Sequence, residues 1–548
     1  MSAVPASIPP APAAPGSDAR KWWTLVATCF GLFMALLDVT VVSVALPTMQ
    51  RDLHASLADL QWVVNAYTLA LAVLLVTAGR LGDLFGRRRV FIIGLAVFTA
   101  GSLFCGLSGG LSIGGLSPIH VLVVARALQG LGGSVMVPLS LAIISATFQG
   151  HERGAAIGIW GGVSGLAAAI GPLVGGALVQ HVNWQSIFYL NVPIGALGIL
   201  VTLWTVRESR DEHAPRSIDA FGLVTVTVGM FCLLLGLIQG ASRGWTSAYI
   251  LGLFAVAAVA TVAFITGEMR RSNAMMDPRL FRNASFTGAA VSAFTLNAGL
   301  YSMLFFLALY LQNYLGIGAL GTGLRLLPLS AVTLVGAPLA GRFTDRWGAK
   351  PILAVGMGLC TLGVLLMLRV TLGTQPTHWI ALLPAFLLCG LGSGMVNPPV
   401  STVAVGTVAR ARAGMASGVS AMCRQIGNAF GIALLGALLA GRYAKVVTDG
   451  IMGLQGPGLS PDVLQGIADG VRQAGAIAGS AGLQGPPGTV NPFAGQPAFP
   501  AIQSLAHLAF MDGLKELFWV AAAMLAVGFV AALLVKRSDM VESHRPAR

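Results

Sequence analysis

What most limits the folds open to this chain is the length of its apolar runs. From Trp22 to Pro47 nearly every side chain is Val, Leu, Ala, Phe or Met. Thirteen similar runs follow, near 60–80, 89–108, 118–142, 152–178, 186–206, 219–239, 247–267, 287–314, 322–342, 351–370, 378–402, 411–440 and 513–535. A helix of about 20 apolar residues crosses the hydrocarbon of a bilayer, where its backbone groups can bond only to one another. The expected fold is therefore all-α and integral to the membrane, with 14 transmembrane helices. Composition agrees: 55% of residues are hydrophobic and 10% charged, against about a quarter charged in soluble domains. The first run is too long for a signal-peptide core and no cleavage site follows, so it reads as an uncleaved anchor.

The formal net charge of +13 could point to nucleic acid, but the basic residues sit in short loops between apolar runs, with no aromatic-interleaved patch. No nucleic-acid partner is expected. If the N-terminus is cytoplasmic, 23 of the 33 Lys and Arg residues fall in inside segments and six outside, while Arg126, Arg325, Arg369 and Arg424 lie within spans. That asymmetry orients the spans and puts both termini inside. The six cysteines all fall within apolar runs without CxxC spacing, and the eight histidines are scattered. They give no metal site. Without a nucleophile elbow or a phosphate loop, the chain does not read as an enzyme, no cofactor is implied, and ATP is not the direct energy source.

An internal repeat sets the domain plan. Gly79-Arg80-Leu81-Gly82-Asp83-Leu84-Phe85-Gly86-Arg87-Arg88-Arg89 returns in weaker form as Gly341-Arg342-Phe343-Thr344-Asp345-Arg346-Trp347-Gly348-Ala349-Lys350. The copies follow the second and tenth spans, which fits two parallel six-helix halves with two extra helices between them. The expected divisions are a disordered cytoplasmic tail (1–20), an N-terminal half (21–206), two inserted helices with their loops (207–282) and five helices of the second half (283–440). A long extracytoplasmic loop (441–512), the last helix (513–536) and a cytoplasmic tail (537–548) complete the chain. Within the Gly- and Pro-rich loop, Asp462–Ser480 can form an amphipathic helix.

Asp38 interrupts the first apolar run. An acid at that depth costs roughly 3 kcal/mol, and such acids serve ion translocation, proton exchange or pairing with a base. Arg126, in the fourth run within Val124-Ala125-Arg126-Ala127-Leu128-Gln129-Gly130, is the candidate partner. A carboxylate beside a cation keeps its charge, whereas one buried alone takes up a proton. A proton-coupling pair and a structural ion pair are both open on this reading.

Four motifs carry a resemblance over almost the whole chain. They are the Gly79–Arg89 loop, the Arg126 segment, Gly162 with Gly171-Pro172-Leu173-Val174-Gly175-Gly176 on the fifth span, and Arg424-Gln425 on the thirteenth. In these the chain resembles the fourteen-span drug:H+ antiporters of the major facilitator superfamily. The resemblance implies a major facilitator fold, alternating access, and efflux of lipophilic drugs or antibiotics across the bacterial cell (inner) membrane driven by protons. It implies a conformational latch of Gly79, Gly82, Asp83, Gly86, Arg87, Arg88, Asp345 and Arg346, and an antiporter motif of Gly162, Gly171, Pro172, Gly175 and Gly176. That motif sets exporters apart from a proton-coupled symporter importing a small metabolite, the alternative on the same fold. Phe33, Met34, Trp62, Asn65, Tyr67, Asn297, Tyr301 and Asn397 are candidate liners of a midplane cavity. With no further acid at mid-membrane in the later spans, the substrates read as neutral, zwitterionic or lipophilic rather than dicationic. The expected partners are the lipid bilayer, a small hydrophobic substrate and protons, with the protein a monomer.

Overall fold

The computed structural model describes residues 17–53, 55, 57–110, 115, 117–148, 151–210, 219–271, 276, 278–369, 376–409, 412–454, 461–480, 483, 499–536 and 539. Every extended element among them is helical. The first half comprises α1 (Ser17–Leu53), α2 (Leu57–Val73), α3 (Leu75–Phe85), α4 (Arg87–Leu107), α5 (Pro118–Thr147), α6 (His151–His181), the short α7 (Ser186–Tyr189) and α8 (Asn191–Thr205). Two inserted helices follow, α9 (Ala220–Arg243) and α10 (Ala248–Arg270). The second half comprises α11 (Ala284–Leu296), α12 (Ser302–Leu309), α13 (Ala319–Trp347), α14 (Ala349–Leu366), α15 (Leu383–Gly406), α16 (Ala413–Met452), α17 (Pro461–Ser480) and α18 (Phe499–Ala532).

Among the described residues, 12 helices are long and apolar enough to cross a membrane, or 13 when the bent pair α2–α3 is taken as one span. The remaining expected run, 152–178, falls on α6, which is 31 residues long. Where one straight span was expected over 60–80, the chain bends by 47° between α2 and α3. Leu74 leaves helical geometry there, with φ −102° and ψ 5°, and α3 lies along α16 in the other half. The run over 287–314 is likewise broken by two π-helical turns, Asn297–Tyr301 and Tyr310–Tyr314.

The segment expected as a loop over 441–512 is largely helix. α16 continues unbroken to Met452, and α18 begins at Phe499 rather than near 513. The cause is a shared apolar face: Tyr443, Val447 and Ile451, spaced four apart on α16, are buried in one core with Ile502, Ala506 and Phe510 of α18. Arg442 adds ion pairs to Asp512 (2.6 Å) and Glu516 (3.7 Å). α17 matches the expected amphipathic helix and sinks Leu464, Ile467, Ala468 and Val471 into that core. Residues 17–20, expected to be disordered, open α1. The rest of the 1–20 expectation, and nearly all of 537–548, lies outside the described residues.

The repeat is visible in the backbone. Gly86 ends α3 and starts α4 at φ +106°, donating its N–H to the Gly82 carbonyl at 3.1 Å. Gly348 does the same between α13 and α14 at φ +91°, donating to Thr344 at 2.9 Å. A side chain is strained at such φ, which explains why both copies of the motif keep glycine at this point. Between the halves, Asp219 caps α9 by accepting from the Gly222 N–H at 2.9 Å and pairs with Arg271 at 2.8 Å.

Candidate functional site

Asp38 and Arg126 meet. Asp38, on α1, is 3% exposed and Arg126, on α5, 1%. Arg126 Nη1 donates to Asp38 Oδ2, and its Nε donates to the Val63 carbonyl at 3.1 Å. Gln129 lies three residues on from Arg126, hence on the same helix face, and closes the arrangement. Its Oε1 accepts from Arg126 Nη1 at 2.8 Å and its Nε2 donates to Asp38 Oδ1 at 2.8 Å. Asn191 of α8 donates to Asp38 Oδ1 at 3.4 Å and to Ser102 Oγ at 3.0 Å. Ser102 in turn donates to the Phe188 carbonyl at 3.0 Å. Tyr67 lies under the guanidinium, 4.3 Å from ring centroid to Cζ. Both carboxylate oxygens are thus bonded, and two helices of the same half, α5 and α8, supply the donors. In this state the carboxylate is held by Arg126, Gln129 and Asn191 together.

The two loop motifs reach across the molecule. Asp83 is fully buried. Its Oδ1 accepts from Arg87 Nε (2.9 Å) and Nη2 (2.8 Å) within its own half. It also accepts from the N–H groups of Gly414 (3.2 Å, Oδ1) and Met415 (3.0 Å, Oδ2) at the start of α16. A helix N-terminus favours such a negative charge. Gly79 abuts Gly414 so closely that a Cβ on either would strike the other's backbone. The second copy mirrors this: Asp345 lies against Gly154 at the start of α6, and Gly341 abuts the Gly154 backbone. Gly82 is packed under Leu139 of α5. Arg88 and Arg346 do not join these contacts. Arg88 donates to the Leu203 carbonyl at 2.6 Å in its own half, and Arg346 is exposed.

Gly162 faces Leu334 of α13, whereas Gly171 and Gly175 face Thr40 and Val41 of α1, and Gly176 has open space beside it. Pro172 lies within α6, its side chain outside the described residues. Small residues of this kind let membrane helices pack closely. Along α6, Gly154, Gly158, Gly162 and Gly165 meet Gly341, Ala337, Leu334 and Thr333 of α13. Further on, α6 turns its glycines to α1.

Two of the proposed cavity liners are elsewhere. Met34 is fully buried in a core with Phe91, Phe98 and Met136. Tyr67 is buried too, its hydroxyl donating to the Ala35 carbonyl at 2.7 Å. Phe33, Asn65, Asn297, Tyr301 and Asn397 are partly exposed and Trp62 more so. Asn397 Nδ2 donates to Tyr301 Oη at 3.4 Å, and Asn297 turns back to its own helix at Ala293.

Sequence reasoning assigned no role to Gln129, Ser102 or Glu208. Glu208 accepts from the N–H groups of Arg88 (3.0 Å) and Arg89 (3.2 Å) and caps α4. It also missed that Gly154/Gly158 and Gly414/Gly418 form a second repeat, Arg-Gly-Ala-Ala-Ile-Gly against Arg-Ala-Gly-Met-Ala-Ser-Gly, at the starts of α6 and α16.

Two repeated helical halves, locked to each other through paired acid-to-helix contacts and enclosing a buried ion pair, define a membrane carrier. The chain belongs to the Major Facilitator Superfamily, whose family model matches residues 28–432. It is 37% identical over 531 residues to the tetracenomycin C resistance and export protein of Streptomyces glaucescens, covering 96% of this chain and 94% of that one. It is also 37% identical over 512 residues to the multidrug resistance protein Stp of Mycobacterium tuberculosis, covering 93% and 90%. Among solved structures, the human organic anion transporter MFSD10 (TETRAN) superposes with a TM-score of 0.61 at 12% identity over 93% of this chain and 99% of that one, a likeness of fold.

Proposed function

We propose that the protein exports lipophilic drugs or antibiotics from a bacterial cell in exchange for protons, by alternating access. The observation that carries this reading is the Asp38–Arg126–Gln129 network: a mid-membrane carboxylate held within one half by a buried guanidinium and an amide. The resistance and export relatives support drug efflux. Asp38 and Arg126 are the proton-coupling pair, and Asp83 and Asp345 with Arg87 form the latch. Both latches are closed at the end of the bundle that carries Gly86 and Gly348, and the Lys and Arg excess in the loops of that end supports reading it as the cytoplasmic one. The conformation is then closed inside.

One proton entering down about 100 mV supplies about 2.3 kcal/mol, enough for an outward substrate ratio of about fortyfold. The test is efflux of a panel of labelled antibiotics from cells making the protein, with and without a protonophore. Export that stops when the proton gradient is dissipated supports antiport. Accumulation driven by the same gradient would mean a symporter instead, and movement of no compound under any gradient would refute transport.

A further inference from the structure

Two of the arginines within the spans, Arg126 and Arg424, are treated differently. Arg126 is answered by Asp38. Arg424, on α16, has no carboxylate: none of the ion pairs among the described residues includes it. Its Nη2 reaches only two hydroxyls, Ser420 Oγ at 3.2 Å and Ser401 Oγ at 3.4 Å. Its Nε is buried with no acceptor among the described residues. The guanidinium also lies at the seam between halves, its Cζ 5.7 Å from the ring centroid of Trp160 on α6. That indole has already committed its N–H, to Ser140 Oγ at 2.9 Å. Tyr301, hydrogen-bonded to Asn397, also feels the charge of Arg424.

A guanidinium held inside a membrane bundle is costly without a counter-charge, and its planar fork matches a carboxylate in two parallel bonds. We propose that Arg424 docks the acidic group of the exported compound. The substrates are then lipophilic organic anions, an ionised carboxyl or acidic phenol on an aromatic body, with Trp160 and Tyr301 against that body. This narrows the lipophilic substrate class, and it rests on the export reading above. It also fits the lack of a second mid-membrane acid in the later spans.

The test uses purified full-length protein in proteoliposomes under an imposed proton gradient, with a pyrene carboxylate and its neutral primary amide as paired probes and ethidium as a cation. Wild type transports the carboxylate with a lower KM than the amide. Arg424→Gln raises the carboxylate KM at least tenfold, as losing a charge-assisted bond implies, and leaves the amide KM within twofold. Arg424→Lys recovers part of the loss, which separates docking from a folding defect. An unchanged carboxylate KM in Arg424→Gln, or equal losses for carboxylate and amide, would overturn the proposal. So would wild-type transport of ethidium or amide but not carboxylate, an outcome that leaves export standing. If no probe moves in wild type, export itself fails and this inference with it.

Discussion

Replacing Asp83 by Asn separates what the latch does for folding from what it does for the transport cycle. The Asp83 carboxylate takes two bonds from Arg87, which stays beside it in either state because both belong to the first half. It takes two more from Gly414 and Met415, which belong to the second half and are reached only when this face is closed. The Arg87 bonds therefore contribute to stability in both states and cancel from the balance between them. The bonds to α16 do not cancel. A carboxylate at a helix N-terminus in a buried setting is worth up to ~2 kcal/mol, and hydrogen bonds to charged groups contribute about 1.5–3 kcal/mol. Asn keeps the shape and one acceptor but loses the charge, so the closed state should lose about 2–3 kcal/mol. At about 1.4 kcal/mol per decade, the population moves toward the state open on this face by roughly 30- to 150-fold. Spin labels at Phe85, half exposed at the end of α3, and at Lys350 on α14 read the separation of the halves. Wild type should give one short-distance population and Asp83→Asn a dominant longer one. A distance distribution that does not change in folded Asp83→Asn protein would refute the latch.

Other outcomes follow from the same geometry. Gln129→Ala removes the amide that ties Asp38 to Arg126 and Ser102. The thermal midpoint of the purified protein should fall by the equivalent of about 1–3 kcal/mol. Glu208→Gln weakens the cap on α4 by about 0.5–2 kcal/mol; denaturation should register the loss while transport by the folded fraction stays at wild-type rates. Pro172→Ala should lower transport without lowering the amount of folded protein, and full efflux by that variant would count against a gating role for the motif.

The spans were legible because a membrane helix must be apolar along its length, and a lone charge stands out against that background. Asp38 and Arg126 could be paired on this ground alone. Gln129, Ser102 and Asn191 could not, since neutral polar residues are common in such helices and their partners are set only by the tertiary arrangement. The bend at Leu74 carries no Pro or Gly to announce it. Met34 and Tyr67 were misplaced because lipid-facing, core-facing and cavity-facing positions are all apolar, so sequence spacing identifies a face without saying what covers it. The extensions of α16 and α18 read as loop because 441–512 is rich in Gly and Pro, and the stripe of Tyr443, Val447 and Ile451 gains its meaning only from the helix opposite.

The central claim is that one carboxyl group couples protons to export. Purified protein carrying Asp38→Asn, reconstituted beside wild type, should be assayed for substrate exchange at equal pH and for uphill movement under a pH gradient. The account predicts that the variant keeps exchange and loses uphill movement entirely. Gradient-driven accumulation at the wild-type level in Asp38→Asn would contradict it.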